Sequence, residues 1–165
     1  NVLMASVLAD GLTTIYNAAC EPYIQQLCKL LTSMGANIEG IGSNLLKIRG
    51  VKKLKGTEHS VLPDMIEIGS WIGLAAMTKS SIRIKNVSWE NLGVIPNVFR
   101  SLGINLIKED DDIVILEHNN GYEIKNYIDG SILSISDAPW PGLSPDLLSI
   151  ILVCLLYTSP SPRDH

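Results

Sequence analysis

Ser33-Met34-Gly35-Ala36-Asn37-Ile38 returns further along the chain as Ser101-Leu102-Gly103-Ile104-Asn105-Leu106. Upstream, Asn17 and Glu21 find counterparts in Asn86 and Glu90, so the offset is 68 to 69 residues with a one-residue slip. A third start, Pro145-Asp146-Leu147-Leu148, echoes Pro63-Asp64-Met65-Ile66. A repeat of this length is a whole α/β unit rather than one turn of a solenoid. The chain is therefore expected to hold similar units built in succession.

Working outward from the first copy, Pro22 opens a helix at a position where its missing N–H costs nothing. Ile24, Leu27, Cys28, Leu31 and Met34 recur at helical spacing as one apolar stripe, and Gly35 suits the helix end. Asn37 to Glu39 and Leu45 to Ile48 read as strands joined through Gly40-Ile41-Gly42-Ser43-Asn44. Before them, residues 2 to 9 read as the tail of a buried helix ended by Asp10-Gly11, and Thr13 to Tyr16 as a strand. The order is helix, strand, helix, strand, strand.

The second copy repeats that order. Met65, Ile68, Gly69, Ile72 and Ala76 line one helix face, and Ile82 to Ile84 is a strand. Leu92, Ile95, Phe99 and Leu102 mark the next helix, which must place Pro96 in its first turns or kink there. Asn105 to Ile107 and Ile113 to Leu116 form a hairpin around Glu109-Asp110-Asp111-Asp112, read as a solvated turn rather than a cation site. Tyr122 to Ile132 reads as strand and turn. The proline-rich stretch from Ala138 to Pro145 is a stiff loop into a third helix, with Trp140 expected to shape it.

Composition narrows the classes of function. With 13 basic and 17 acidic residues the formal charge is −4, and no basic stripe marks a nucleic-acid surface. Cys20, Cys28 and Cys154 are odd in number and lack C-x-x-C spacing, so neither a disulfide framework nor a zinc site is expected. A reducing cytoplasm fits that usage, and no signal peptide is expected. The apolar run from Leu147 to Leu156 is too short to span a bilayer. No cofactor is expected either: Gly40-x-Gly42 is too short for a dinucleotide fingerprint. His59 and His118 stand alone, so no metal site is expected.

Asn1 to Ala5, Ala9-Asp10-Gly11, Ile15 to Pro22, Leu31 to Gly40 and Val61 to Gly69 together resemble the enolpyruvyl transferases, over about residues 1 to 153. That resemblance implies an α/β fold of repeated βαβαββ-type units, the family's inside-out α/β barrel, here cut at both ends. It implies that residues 1–51 close a first domain, 52–62 cross over, and 63–153 begin a second. Residues 154–165, with Thr158-Ser159-Pro160-Ser161-Pro162-Arg163-Asp164, are expected to be a non-native tail resembling translated adapter sequence; a genuine disordered tail is the alternative.

The family's reaction moves the enolpyruvyl group of phosphoenolpyruvate to an acceptor hydroxyl and releases phosphate. The Leu62-Pro63-Asp64-Met65-Ile66-Glu67 stretch is similar to the branch whose acceptor is the 3'-hydroxyl of UDP-N-acetylglucosamine. The shikimate branch, and a non-enzymatic repeat module that binds a partner, are the alternatives. By the same resemblance Asp146 contacts the sugar hydroxyl as its base and binds UDP-N-acetylglucosamine, with capping of its helix as the plainer reading. Asp64 sits at the equivalent place one unit earlier. Asp64 with Glu67 has capping-box spacing, and a supporting role at the cleft is the functional option. Glu21 and Glu90 are read as structural caps, Cys28 as core, and Cys20 as non-catalytic. The family's lysine and loop Cys or Asp fall before Asn1, and its phosphoenolpyruvate-clamping arginines beyond Val153. The isolated chain is therefore expected to be inactive.

Overall fold

The computed structural model describes residues 1–117, 124 and 130–158, and the chain divides into two compact units, Asn1–Leu62 and Pro63–His165. In the first unit, α1 (Val2–Ser6) and β1 (Leu12–Tyr16) precede α2 (Pro22–Ser33), β2 (Asn37–Glu39) and β3 (Leu45–Arg49). The sheet order is β1-β3-β2, all antiparallel, with Thr13 and Ile38 both opposite Ile48. β3 alternates: Leu46 and Ile48 are buried while Lys47 and Arg49 face outward, the period-two signature of a half-covered sheet. Against those two residues pack Leu3 and Val7 from the α1 region, and Cys28 and Leu31 from α2.

In the second unit come α3 (Met65–Thr78), β4 (Ile82–Ile84), a 3-10 turn (Trp89–Asn91) and α4 (Ile95–Ser101). β5 (Leu106–Glu109), β6 (Asp112–Ile115), a second 3-10 turn (Pro145–Leu147) and α5 (Leu148–Thr158) follow. The sheet order β4-β6-β5 is again antiparallel and reproduces the first unit's topology. Ile113 and Ile115 of β6 are fully buried beneath Ile72, Phe99, Leu102 and Leu147.

The repeated hexapeptide has a physical cause. After α2, Gly35 takes φ +105°, its N–H donates to the Thr32 carbonyl at 2.9 Å, and Ala36 N–H donates to Leu31 O at 2.9 Å. This is a Schellman ending, closed by contact between the buried Leu31 and Ala36. After α4, Gly103 takes φ +88°, with Gly103 N–H to Arg100 O at 3.1 Å and Ile104 N–H to Phe99 O at 3.3 Å. The same helix stop feeds the same strand in both units. Asn17 and Asn86 are also equivalent in geometry, at φ +52° and +54°.

Several expectations are corrected. α1 ends at Ser6, whose hydroxyl donates back to Leu3 O at 2.9 Å, and Val2, Met4 and Leu8 are exposed, so only one face is buried. Leu92 lies ahead of α4 rather than in it, because Pro96 cannot donate to Leu92 and its ring crowds that carbonyl. The second hairpin shifts by one to two residues and closes tightly at Asp110-Asp111, so Glu109 and Asp112 pair across the strands. α5 runs to Thr158, and Cys154 within it is a core residue at 1% exposure.

Of the reading of Tyr122 to Ile132, only residue 124 and residues 130–132 are described, and they form no strand. His118 and residues 159–165 of the expected tail lie outside the described residues. Among the described residues, no helix is long and apolar enough to cross a membrane.

Candidate active site

Asp146 is exposed, yet buried neighbours hold it on both sides: Leu143 at 3% and Leu147 at 0% exposure. Between them the chain carries Ser144 and Pro145, which leave little freedom to the backbone. Asp146 is not the cap of its turn. Ser144 takes that place: its Oγ accepts from Asp146 N–H at 3.4 Å and donates to Asp146 Oδ2 at 3.3 Å. The carboxylate therefore stands in the first turn, oriented by a hydroxyl and exposed to any acceptor that docks there.

Leu147 anchors this segment on α3. A β-carbon built at Gly69 would lie 2.5 Å from Leu147 Cδ2, so only glycine admits the leucine so close. One helical turn on, a β-carbon at Gly73 would lie 2.4 Å from Ile150 Cγ2. Two glycines four residues apart thus form the groove in α3 that receives the second 3-10 turn and the start of α5. Ser144 and Gly73 were missed in the sequence reading, and Gly69 was read there only as part of the buried face of α3. The available signals were the Ser-x-Asp spacing and glycine recurring inside a helix, where it is otherwise unfavourable.

Asp64 is the N-cap of α3, its Oδ1 accepting from Ile66 N–H at 2.8 Å and from Glu67 N–H at 3.4 Å. The capping half of the expectation is thus present in the geometry. Asp64 and Asp146 lie in the same unit, one at the start of α3 and one in the turn that packs on α3.

The structural reading of the two glutamates separates them. Glu21 holds the N-cap position of α2 but makes no side-chain cap bond, and its Oε2 is buried without a hydrogen-bond partner among the described residues. A glutamate one methylene longer than aspartate overshoots the N–H groups that it would cap. Glu90 instead accepts from Ser88 Oγ at 2.9 Å and stays local to its 3-10 turn.

The acidic stretch is more than a solvated turn. Arg83 bridges Glu109 and Asp112, with Nη1 of Arg83 at 3.1 Å from Asp112 Oδ2. Asp112 Oδ1 accepts from Asn86 N–H at 3.0 Å, and Asp111 accepts from Trp89 N–H at 3.0 Å and Ser88 N–H at 3.2 Å. The Asn86 amide first, and Arg83 second, lower the Asp112 carboxyl below its ordinary range, while the two carboxylates hold Arg83 protonated. Among the described residues no group of three or more His, Cys, Asp or Glu is arranged to hold a metal ion.

Cys28 and Cys154 are buried core thiols, and burial raises both above the ordinary thiol value. Cys20 is half-buried ahead of α2. An apolar cavity of about 610 Å³ lies between α5 and the 132–135 segment, lined by Leu133, Ile135, Leu148, Ile151 and their neighbours. A smaller concavity of about 330 Å³ sits at Arg100 and Gly103 to Leu106. Neither includes Asp64 or Asp146.

Each unit has three antiparallel strands backed by helices, and the arrangement is repeated in one chain. The structure superposes with a TM-score of 0.75 on the enolpyruvyl transferase NikO from Streptomyces tendae, at 17% identity, covering 95% of this chain and 36% of that one. The family model described as EPSP synthase (3-phosphoshikimate 1-carboxyvinyltransferase) matches residues 1–153, and the chain belongs to that family. Among curated proteins it is similar to UDP-N-acetylglucosamine 1-carboxyvinyltransferase of Bacteroides thetaiotaomicron, 67% identical over 165 residues. The protein of the same name from Porphyromonas gingivalis is 64% identical over 165 residues, and that from Treponema denticola 46% identical over 153. The chain spans 38% of the length of the Bacteroides and Porphyromonas relatives and 36% of the Treponema one.

Proposed function

We propose that this chain is part of a transferase that moves the enolpyruvyl group of phosphoenolpyruvate to the 3'-hydroxyl of UDP-N-acetylglucosamine, the first committed step of peptidoglycan synthesis. The observation that carries the reading is 67% identity, across all 165 residues, to a protein bearing that activity in its name. In this reading residues 1–51 complete one domain, 52–62 cross over and 63–153 open the next. A cytoplasmic setting goes with it, in keeping with the buried, unbridged thiols of Cys28 and Cys154.

Asp146 is the base. Its carboxylate takes the proton of the sugar hydroxyl as that oxygen bonds to C2 of phosphoenolpyruvate, while an acid from another part of the protein protonates C3. Loss of phosphate and of a C3 proton then restores the enol ether. Asp64 supports the site by fixing the start of α3, on which Leu147 rests.

The test is phosphate release by the complete protein. Asp146→Asn is expected to lower kcat by about 10²–10⁴-fold, the usual contribution of a positioned base. Wild-type turnover by that variant would remove Asp146 from the chemistry. Turnover with shikimate 3-phosphate but not with UDP-N-acetylglucosamine would move the protein to the other branch of the family. The 165-residue chain alone is expected to form no product.

A further inference from the structure

Upstream of Asp146 the chain makes a tight, closed turn. Gly142 N–H donates to Pro139 O at 2.8 Å, and Ala138 N–H donates to Leu143 O at 3.0 Å. A β-carbon at Gly142 would lie 2.5 Å from Ala138 Cβ, so the turn has no slack. Leu143 and Trp140 tie it to the rest of the unit. Trp140 packs, partly buried, on the core and lies against Gly93, just ahead of α4. A β-carbon at Gly93 would lie 2.7 Å from Cζ3 and 2.9 Å from Cη2 of the indole ring. Gly93 also holds φ +54°, a conformation that other residues adopt at a cost. Two independent constraints therefore select glycine where the ring is seated.

We propose that Trp140, seated on Gly93, is a positioning residue that sets the reach of the Asp146 carboxylate; the inference rests on Asp146 being the base. The segment from Trp140 to Asp146 contains Pro141 and Pro145 and is pinned again at the buried Leu143. Trp140 and Leu143 belong to one turn closed by Ala138 N–H to Leu143 O, so a displacement of the ring shifts Leu143 with it and, through Pro145, Asp146. Leu147 on Gly69 fixes the far side of Asp146, and Trp140 on Gly93 fixes the near side. A carboxylate that accepts a proton during bond formation needs both, since a misplacement of about 1 Å can cost about 10²-fold in rate.

The test is a double-mutant cycle in the complete protein, with phosphate release as readout. Trp140→Ala is expected to lower kcat about 10–100-fold with the KM for phosphoenolpyruvate unchanged, and Trp140→Phe to recover most of the loss. In an Asp146→Asn background Trp140→Ala is expected to cost nothing further, because its effect passes through that carboxylate. Gly93→Ala, which leaves the indole intact but unseats it, is expected to behave as Trp140→Ala does. Equal losses from Trp140→Ala with and without the Asp146→Asn change overturn the positioning role while leaving the base assignment standing. Full activity of Asp146→Asn overturns the base assignment itself, and this inference with it. If Trp140→Ala does not fold, Trp140→Phe and Gly93→Ala carry the cycle. Amide hydrogen exchange at Leu147 provides a readout independent of turnover: faster exchange in Gly93→Ala is expected, and unchanged exchange counts against the proposal.

Discussion

Replacing Gly69 by alanine tests the packing beneath the candidate site, because two known effects oppose each other there. Alanine in a helix interior is favoured over glycine by about 0.8–1.0 kcal/mol. Against that, the new methyl would sit 2.5 Å from Leu147 Cδ2 and 3.0 Å from Cδ1, where carbon atoms prefer about 3.5–4.0 Å. A shift of about 1 Å is needed, and Leu147 has nowhere to go, being fully buried. Overpacking of this kind costs about 1–3 kcal/mol. The balance is a net loss of about 0–2 kcal/mol, opposite in sign to the propensity gain alone. Gly73→Ala is expected to lose at least as much, since the new methyl would lie 2.4 Å from Cγ2 of Ile150, a branch methyl that the helix holds in one χ1 rotamer. Urea unfolding followed by tryptophan fluorescence reads the right part of the molecule: Trp71, Trp89 and Trp140 all lie in the Pro63–His165 unit. With a slope of about 1–3 kcal/mol/M, a loss of 1 kcal/mol lowers the midpoint by about 0.3–1 M. A midpoint raised by the whole propensity gain would refute the close seating of Leu147 on α3.

Three further outcomes follow from the same geometry. Asp64→Ala removes the acceptor at the start of α3 and is expected to destabilise the second unit by about 1 kcal/mol, with Asp64→Ser largely restoring it in the same urea assay. Asp112 titrates below its unfolded value of about 3.9, so its stabilisation is fully present above that pH and is lost as pH falls through the lower folded value. The stability difference between wild type and Asp112→Asn should therefore be flat from about pH 5 to 7 and shrink below about pH 4; a difference that grows on acidification contradicts the assigned contacts. Cys28 and Cys154, buried and with raised thiol pKa, should resist a thiol reagent at about pH 7.5 until urea unfolds the chain. Rapid modification of either in the folded protein would place it outside the core.

What the sequence by itself determined is local or periodic. The repeat, the α2 stripe, the buried face of α3 and the glycine stop before β2 were all legible, because each is set by residues within one or two helical turns. The cap at Asp64 was legible for the same reason: its partners are the next two or three amides. The acidic hairpin was not, because its carboxylates are claimed by Arg83, Asn86, Ser88 and Trp89, more than twenty residues away. Nor was the uncapped Glu21, whose side-chain length decides a contact that its position alone suggests.

The candidate site divides in the same way. Asp146 drew notice through a resemblance and a repeat, both properties of the string of residues. Its setting came only with the fold: the hydroxyl of Ser144, the seat of Leu147 on Gly69 and that of Trp140 on Gly93. A glycine in sequence announces that the backbone is free or that space is short. Only tertiary packing says which side chain takes the space, because that side chain arrives from a segment far along the chain that local order does not specify.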